Sequence, residues 1–545
     1  MIRSFYLFVL SVGLCSSLAQ AQENFTRKDS LFGGMRFERS CYNVLRYDLN
    51  LQLNPAEKKL SGYNEITFKT VEDTPKIQLD LFENMLIDSI VLSGKPLKFE
   101  REFNAVFVKF DQPLLKDSEQ KLRFYYHGQP HIAKHAPWDG GFVFTKDSAG
   151  KDWVGVAVQG TGASLWFPCK DSQTDEPDLG CSIKVAVPNG LMNVSNGRFM
   201  GSTNLNNGYT RWDWEVKNPI NNYDITLNVG DYVLIGDSYQ GLDLDYYVLR
   251  ENESKAKIQF EQVKPMMDCF QRKFGPYPFA EDGYKLVETP YLGMEHQSAV
   301  AYGNHYMNGY LGNDLSGTGE GMLFDFIIIH ESGHEWFGNS ITSKDVADMW
   351  IHEGFTCYSE SVYLECLYGY EKAQTYINGL KRNVQNDKPI IGAYGVGNEG
   401  SGDMYYKGAL MLNTIRHILN DDVKWWALIL KYSTQFKHQI IDTPTVISFF
   451  NQETGLDLTP VFNQYLKHKN LPILEIKRDQ NKMLQLRWKT DELHFSLPVE
   501  ILNNGKSNRI NVSNHWVNTK IKFKKRPKSE NFNQQKFFYQ LNIVH

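Results

Sequence analysis

Apolar and polar residues alternate along much of the first half of the chain, between residues 40 and about 247. The segments that show this best are "YDLNLQLN", "GYNEITFKT", "AVFVKF" and "KLRFYYHG", with turn-forming residues between them. A period of two is typical of strands that bury one face and expose the other. The pattern therefore predicts a large antiparallel β domain, to which we assign residues 22–247.

The period changes after residue 247. The segment "SKAKIQFEQVKPMMDCFQRKFG" has apolar residues three and four positions apart, which predicts an amphipathic helix with a kink at Pro265. Short strand-like segments follow, residues 320 to about 467 are mostly of helical period, and alternation then returns. We therefore predict a multidomain α+β protein, with a mostly helical domain at 248–467 and a small β domain at 468–545.

The first 21 residues have the pattern of an export signal. Arg3 provides the positive start, Phe5 to Leu14 the apolar run, and Ala19 to Ala21 a cleavage site of small residues. A membrane anchor and an ordinary strand are the alternatives, but the apolar run is too short to span a bilayer. We expect cleavage after residue 21, an exported protein that is periplasmic or extracellular, and no membrane association afterwards.

Composition and charge exclude few classes of function. Of 545 residues, 42% are hydrophobic and 22% charged, which is ordinary for a globular protein of several domains. The formal net charge is −5, and it becomes −6 when the predicted signal removes Arg3. So mild a charge argues against a nucleic-acid-binding protein. We interpret the basic run "KIKFKKRPK" at 520–528 as a solvated loop rather than a polyanion-binding patch.

Cysteines do not indicate a metal site. Seven are present, one of them within the predicted signal, and none forms a Cys-x-x-Cys pair. Cys169 and Cys181 are close in sequence and can either form a disulfide in an oxidising compartment or remain buried free thiols.

The segment "DFIIIHESGHEWFGNS" at 325–340 carries the strongest chemical signal. His330 and His334 are four positions apart, so a helix places both imidazoles on one face, where they can bind one zinc ion. Glu331 is adjacent to the first histidine and can reach a water molecule on the metal. Because His-Glu-x-x-His occurs by chance in roughly 2% of chains of this composition, a third ligand is needed to strengthen the prediction.

A catalytic zinc site needs three protein ligands and one open position. Eighteen residues separate His334 from Glu353, enough for the helix to end and a second helix to bring Glu353 to the metal. Glu360 lies on the same face of that second helix. It either accepts a hydrogen bond from a ligand imidazole or belongs to a solvated helix surface. We expect a structural role for Glu335, which points about 100° away from His334.

These motifs, with the glutamate inside "WIHEGF", resemble the M1 family of zinc aminopeptidases, a group of gluzincins. The family's Gly-x-Met-Glu-Asn motif is similar to "YLGMEHQSAV" at 291–300. The resemblance implies that Glu295 binds the α-amine of a peptide substrate, and that Gly293, Met294 and His296 also contact the peptide. His296 stands where the family usually has asparagine.

Two further motifs support the same resemblance. The segment "MYYKGAL" places the family's catalytic tyrosine on Tyr405, and "QGTGASLWFPCKD" places a second amine-binding residue on Gln159. The order of the domains also resembles this family, which implies a thermolysin-like catalytic domain and a β-sandwich-like C-terminal domain. We expect a bacterial exported short form that lacks the C-terminal helical domain of longer members.

The resemblance implies a zinc-dependent aminopeptidase that uses one zinc ion and acts on peptides with a free N-terminus. Glu331 would transfer the proton of the attacking water, and Tyr405 would stabilise the tetrahedral oxyanion. Three alternatives stay open: a zinc endopeptidase, an enzyme that also hydrolyses an epoxide lipid, and a non-catalytic binding protein of the same fold.

Overall fold

The computed structural model describes residues 24–544. The predicted export signal therefore lies outside the described residues. Two short helices open the described chain, α1 (Arg27–Gly33) and α2 (Phe37–Ser40). None of the helices between residues 24 and 544 combines the length and the apolar character required to cross a bilayer.

The N-terminal domain consists of fifteen strands within the described chain. In chain order β1 to β15 are Tyr42–Asn54, Lys59–Thr70, Thr74–Asp80, Met85–Leu92, Lys95–Pro96, Lys98–Glu102, Ala105–Leu114, Glu119–Gly128, Gly141–Lys146, Asp152–Ala157, Cys181–Pro188, Met192–Ser195, Arg198–Asn204, Tyr209–Val216 and Leu227–Gly230. They form an eight-stranded sheet of order β13-β14-β11-β1-β2-β8-β4-β5, a four-stranded sheet β12-β15-β10-β9 and a three-stranded sheet β3-β7-β6. The pairing is mostly antiparallel, as predicted, but β1 and β11 run parallel.

The alternating pattern corresponds to burial on one face of each strand. In β1, Tyr47, Leu49, Leu51 and Leu53 are buried, whereas the residues between them are half-buried. Such a pattern fixes the register of a strand, because a shift by one residue would expose the whole apolar set. The domain core therefore lies between the sheets.

The predicted domain boundary at 247/248 falls within a strand. Strands β16 (Tyr232–Tyr239) and β17 (Leu242–Leu249) belong to the sheet of the second domain, whose order is β16-β17-β18-β20-β19. The remaining strands of this sheet are β18 (Tyr284–Glu288), β19 (Gly293–Met294) and β20 (Val300–Tyr302). Alternation marks a strand but not its partner, and β17 pairs in parallel with β18. The strands from Tyr232 onward therefore share a sheet with strands that follow residue 248.

Nine α-helices of the described chain follow in the second domain. They are α3 (Glu253–Gln259), α4 (Val263–Phe274), α5 (Phe326–Gly333), α6 (Trp350–Tyr368), α7 (Tyr370–Gly379), α8 (Tyr406–Leu419), α9 (Asp422–Gln435), α10 (Thr443–Thr454) and α11 (Thr459–Leu466). The helix predicted to kink at Pro265 is two helices joined by a 3₁₀ turn, and Pro265 lies in the first turn of α4. In the first turn of a helix the backbone N–H groups have no partner within the helix, so a proline is tolerated there. Two short strands, β21 (Ile341–Ser343) and β22 (Gln439–Ile441), also pair in this domain.

The C-terminal domain is a small β domain, as predicted. Its strands β23 to β28 are Ile473–Arg478, Met483–Lys489, Ser496–Asn503, Lys506–Ser513, Val517–Lys522 and Gln540–Ile543. They form one sheet of order β27-β24-β23-β28 and a hairpin of β25 and β26. The lysines and arginine of the basic run 520–528 are exposed, from the end of β27 into the following loop.

One disulfide is present among the described residues, and it was not among the pairings considered from sequence. Cys269 of α4 is bonded to Cys366 of α6, with Cα atoms 6.0 Å apart and a sequence separation of 97. Cys169 and Cys181 are buried free thiols, the second of the two alternatives left open above.

Candidate active site

Helix α5 presents the two histidines. Its first turn is capped by Asp325, whose carboxylate accepts hydrogen bonds from the N–H groups of Ile327 and Ile328. The isoleucine run is buried and packs the helix into the domain core. His330 and His334 then lie one turn apart, with their Nε2 atoms separated by 3.3 Å. The two imidazoles therefore face the same side, at the end of α5 and at the residue that directly follows it.

The chain stops being helical shortly after His334. Phe337 and Gly338 depart from helical geometry, and Gly338 has a φ of 134°. A Cβ on Gly338 would lie 3.1 Å from His334 Nδ1, so a glycine is required both by the backbone and by the close approach of the imidazole. This turn leads to α6, which carries Glu353 and Glu360.

Glu353 completes a three-donor cluster. One of its oxygens, Oε2, lies 3.5 Å from His330 Nε2 and 3.3 Å from His334 Nε2. Zinc ligands at 2.0–2.1 Å in tetrahedral geometry are about 3.3 Å apart, so the three atoms have the spacing that zinc requires. Among the described residues this buried oxygen has no hydrogen-bond donor. Burial opposes ionisation of Glu353, but the charges of His334 and His330 lower its pKa. The cluster therefore fits a zinc ion.

Both imidazoles are oriented by hydrogen bonds at Nδ1. His330 Nδ1 donates to Glu360 Oε1 at 2.7 Å, and His334 Nδ1 donates to the carbonyl of Phe337 at 3.0 Å. Because the proton is held on Nδ1 by an acceptor, the lone pair of Nε2 is available to a metal. Two roles were considered for Glu360. Because Glu360 is 0% exposed, it does not belong to a solvated helix surface, and the hydrogen bond to a ligand imidazole agrees with the structure.

The two helices are packed closely at Gly333. A Cβ at this position would lie 2.6 Å from Ser359 Oγ and 3.2 Å from Thr356 Cγ2. A glycine inside α5, which disfavours the helix by about 1 kcal/mol relative to alanine, thus lets α6 approach. Glu335 accepts hydrogen bonds from the Ser298 N–H and the Tyr277 hydroxyl, which agrees with a structural role.

Glu331 faces the same cavity as the metal ligands. Burial raises its pKa to about 7, even though His330 and His334 favour the charged form. A Cβ on Gly293 would lie 2.8 Å from Glu331 Oε1. Gly293 therefore leaves room for the carboxylate. Glu331 has the environment of a residue that can accept and return a proton near neutral pH.

A second carboxylate, Glu295, lies beside the cluster. Gln159 Nε2 donates to Glu295 Oε1 at 2.6 Å and to Glu353 Oε1 at 3.4 Å, so it bridges the two acids. The Tyr223 hydroxyl donates to Glu295 Oε1 at 3.2 Å, and Asn339 Nδ2 donates to the Glu295 carbonyl at 2.7 Å. Burial raises the pKa of Glu295. The sequence identified Gln159 and Glu295 but not Tyr223, which has no local motif.

Tyr405 lies over the histidines, immediately before α8. Its ring stacks on His330 with 6.1 Å between centroids, and burial raises the pKa of its hydroxyl well above the usual value. The hydroxyl therefore stays protonated and can donate a hydrogen bond. Met294 and Gly293, for which a contact with the peptide is expected, also line the cavity.

His296 does not lie where the resemblance places it. Its side chain is 0% exposed, and the cavity wall formed by this segment ends at Glu295. Burial lowers its pKa to about 3, and neither ring nitrogen has a hydrogen-bond partner among the described residues. The expected contact between His296 and a peptide is therefore not supported, because the side chain packs behind the wall.

The three-donor cluster, Glu331, Glu295, Gln159 and Tyr405 line one cavity of about 730 Å³. The sequence did not indicate two of its lining residues, Trp138 and Glu399, which come from loops distant in sequence. The cavity brings together a potential metal site, a buried acid, a phenol and a carboxylate–amide pair. Such a set can bind a cationic group next to a metal-activated water.

Comparison with protein families agrees with this arrangement. The sequence model of the "Peptidase M1 N-terminal domain" matches residues 43–223, and that of the "Peptidase family M1 domain" matches residues 258–465. Together they cover most of the chain.

Individual proteins are similar at lower identity. "Probable aminopeptidase 1" of Sulfurisphaera tokodaii is 20% identical over 85% of this chain and 58% of its own length. "Aminopeptidase B" of Rattus norvegicus is 25% identical over 69% of this chain and 58% of its own. The chain thus spans less than two thirds of the length of these relatives. The M1 zinc metallopeptidase of Deinococcus radiodurans has the same fold, with a TM-score of 0.68 at 22% identity, over 82% of this chain and 97% of that one.

Proposed function

The chain belongs to peptidase family M1, and from this we propose that it is a zinc-dependent aminopeptidase that removes amino acids from the N-terminus of peptides. One observation carries the proposal: Glu295, which Gln159 holds beside Glu353, lies in the same cavity as the three-donor cluster. A fixed carboxylate attracts the ammonium group at the N-terminus of a peptide. The distance between this carboxylate and the metal then places the first peptide bond at the metal.

Each residue of the site has one task in this reaction. A single zinc ion held by His330, His334 and Glu353 would act as a Lewis acid toward water and the scissile carbonyl. Glu331 accepts the proton of the attacking water and delivers it to the leaving amine. The Tyr405 hydroxyl donates a hydrogen bond to the oxygen on which negative charge develops.

The substrate is held by groups that face its free end. Glu295 accepts hydrogen bonds from the α-ammonium group, and the Gln159 side chain is positioned by its bonds to Glu295 and Glu353. Tyr223 keeps the Glu295 carboxylate in place. A peptide whose amine is acetylated offers no positive charge to this carboxylate, so the charge of the buried Glu295 is not offset by a cation.

The test is a panel of aminoacyl fluorogenic substrates assayed with and without a chelator, beside their N-acetylated counterparts. We expect hydrolysis of the free-amine substrates, loss of activity with the chelator, recovery with zinc, and no hydrolysis of the acetylated set. Equal hydrolysis of acetylated substrates would instead indicate an endopeptidase. Absence of both bound zinc and activity in the folded protein would indicate a binding protein of the same fold.

We also propose that the protein is exported. Its disulfide between Cys269 and Cys366 supports this, because structural disulfides persist mainly in oxidising compartments. The protein purified from its own cells should begin after Ala21 and should show these two cysteines unreactive to thiol reagents until it is reduced. A cytoplasmic protein that begins at Met1 would contradict the proposal.

A further inference from the structure

The cavity is strongly acidic. Of the described residues that line it, five are glutamates and none is lysine or arginine. Four of the glutamates already have partners or tasks. Glu353 belongs to the metal cluster, Glu360 binds His330, Glu295 binds Gln159, and Glu331 is the proton acceptor. The fifth, Glu399, has no role in the reaction described above.

Glu399 is half-buried in the loop that precedes α8. It lies close to the backbone that follows Gln159. Its Oε1 atom is 3.3 Å from the position that a Cβ on Gly160 would occupy, and Gly160 directly follows Gln159. With a φ of 73°, Gly160 adopts a conformation that favours glycine. Because Gly160 has no side chain, the Glu399 carboxylate can approach the backbone next to Gln159.

The Glu399 carboxylate has no partner in the part of the chain that the structure describes. Neither a hydrogen bond nor a salt bridge stabilises its charge, and Lys388 acts on it only through space. Burial raises the pKa of Glu399, and the charges of Glu353 and Glu295 raise it further. A carboxylate without partners in a half-buried, acidic site gains free energy when a ligand brings a cation to it.

We propose that Glu399 binds the side chain of a basic first residue, so that the enzyme prefers peptides beginning with arginine or lysine. This inference rests on the proposed aminopeptidase function. The α-ammonium group of the peptide's first residue binds Glu295, and the positively charged side chain of that first residue then reaches Glu399. Arginine is favoured over lysine because its planar guanidinium can form two hydrogen bonds with one carboxylate.

Apolar residues of the same cavity suit the stem of such a side chain. Leu292, Met294 and Tyr310 line the cavity and can cover the methylene groups of lysine or arginine. Trp138, also in the lining, is 68% exposed. Its ring can receive a guanidinium or ammonium group on its face. Long aliphatic side chains can make the same apolar contacts. The preference for arginine or lysine therefore depends on the charge of Glu399.

The test compares kcat/KM for arginyl and leucyl fluorogenic substrates in the zinc-loaded enzyme and its variants. The wild type should prefer the arginyl substrate, and Glu399→Gln should reduce the arginyl-to-leucyl ratio about 10–100-fold, mainly through KM, as expected for a lost charged hydrogen bond. Glu399→Asp should keep part of the preference, and Glu399→Lys should reverse it. Glu261→Gln, which removes the same charge from an exposed position outside the cavity, should leave the ratio unchanged.

Three results would overturn the inference, and they can be told apart. Hydrolysis of leucyl substrates without a preference for arginine in the wild type would refute it and leave the aminopeptidase proposal intact. An equal loss on both substrates in Glu399→Gln would show that Glu399 serves the α-amine instead. A folded, zinc-loaded wild type that hydrolyses neither substrate would refute the aminopeptidase function itself, and the inference with it.

Discussion

Glu360 offers a quantitative test of the metal site, because it touches a ligand without being one. It is fully buried and accepts hydrogen bonds from His330 Nδ1 at 2.7 Å and from the Tyr376 hydroxyl at 2.6 Å. Glu360→Gln keeps the shape of the side chain but removes its charge. A hydrogen bond to a charged group contributes about 1.5–3 kcal/mol, which corresponds to about 10–100-fold in the dissociation constant for zinc. Losing the outer partner of a ligand histidine has effects of this size.

Zinc affinity can be measured by competition with a chromogenic chelator, at a temperature well below the unfolding midpoint of each variant. Tyr376→Phe is the matched control, because it removes another donor to Glu360 and leaves the bond to His330 in place. We expect a change of no more than about threefold for the control. The reasoning would be refuted if folded Glu360→Gln bound zinc as tightly as the wild type, or if Tyr376→Phe weakened binding equally.

Three other predictions follow from the described contacts. Gly293→Ala should lower kcat about tenfold or more at full zinc occupancy, since the new Cβ would lie 2.8 Å from Glu331 Oε1; an unchanged kcat would contradict the close contact. Replacing Cys269 and Cys366 by serine should lower the free energy of unfolding in urea by about 2–5 kcal/mol, because the disulfide closes a long loop; an unchanged unfolding midpoint would argue that the bond is absent. Burial lowers the pKa of His417 to about 4, whereas an unfolded histidine titrates near 6.5, so the unfolded chain takes up the proton first as the pH falls. The free energy of unfolding should therefore decrease as the pH falls from about 6.5 to 4. In urea titrations, His417→Gln should reduce this pH dependence; a variant whose free energy of unfolding depends on pH as in the wild type would contradict the prediction.

The sequence was sufficient wherever function depends on local spacing. The four-residue separation of His330 and His334 directly gives two imidazoles on one helical face, and the period of two in β1 gives its buried face. The placement of Glu353 needed only the end of the first helix, a turn and a second helix. These features depend on backbone geometry that a short segment determines by itself.

Features that depend on contacts between distant segments were missed. Tyr223 bonds to Glu295 across 72 residues, and Glu399 approaches Gly160 from another domain. Neither residue belongs to a motif that marks it in advance. The strands after Tyr232 show the same limit, because an alternating pattern does not indicate which sheet a strand joins. For His296, a motif gave the position along the chain, but burial behind the cavity wall is decided by packing.

The most direct test of the account is a crystal structure of the Glu331→Gln variant with zinc and an unblocked tripeptide, with diffraction data collected at the zinc absorption edge. We expect one anomalous peak at about 2.0–2.2 Å from His330 Nε2, His334 Nε2 and a Glu353 oxygen, with the peptide's amine hydrogen-bonded to Glu295. A peak bound by other residues, or a peptide that extends past Glu295 with its amine in solvent, would contradict it.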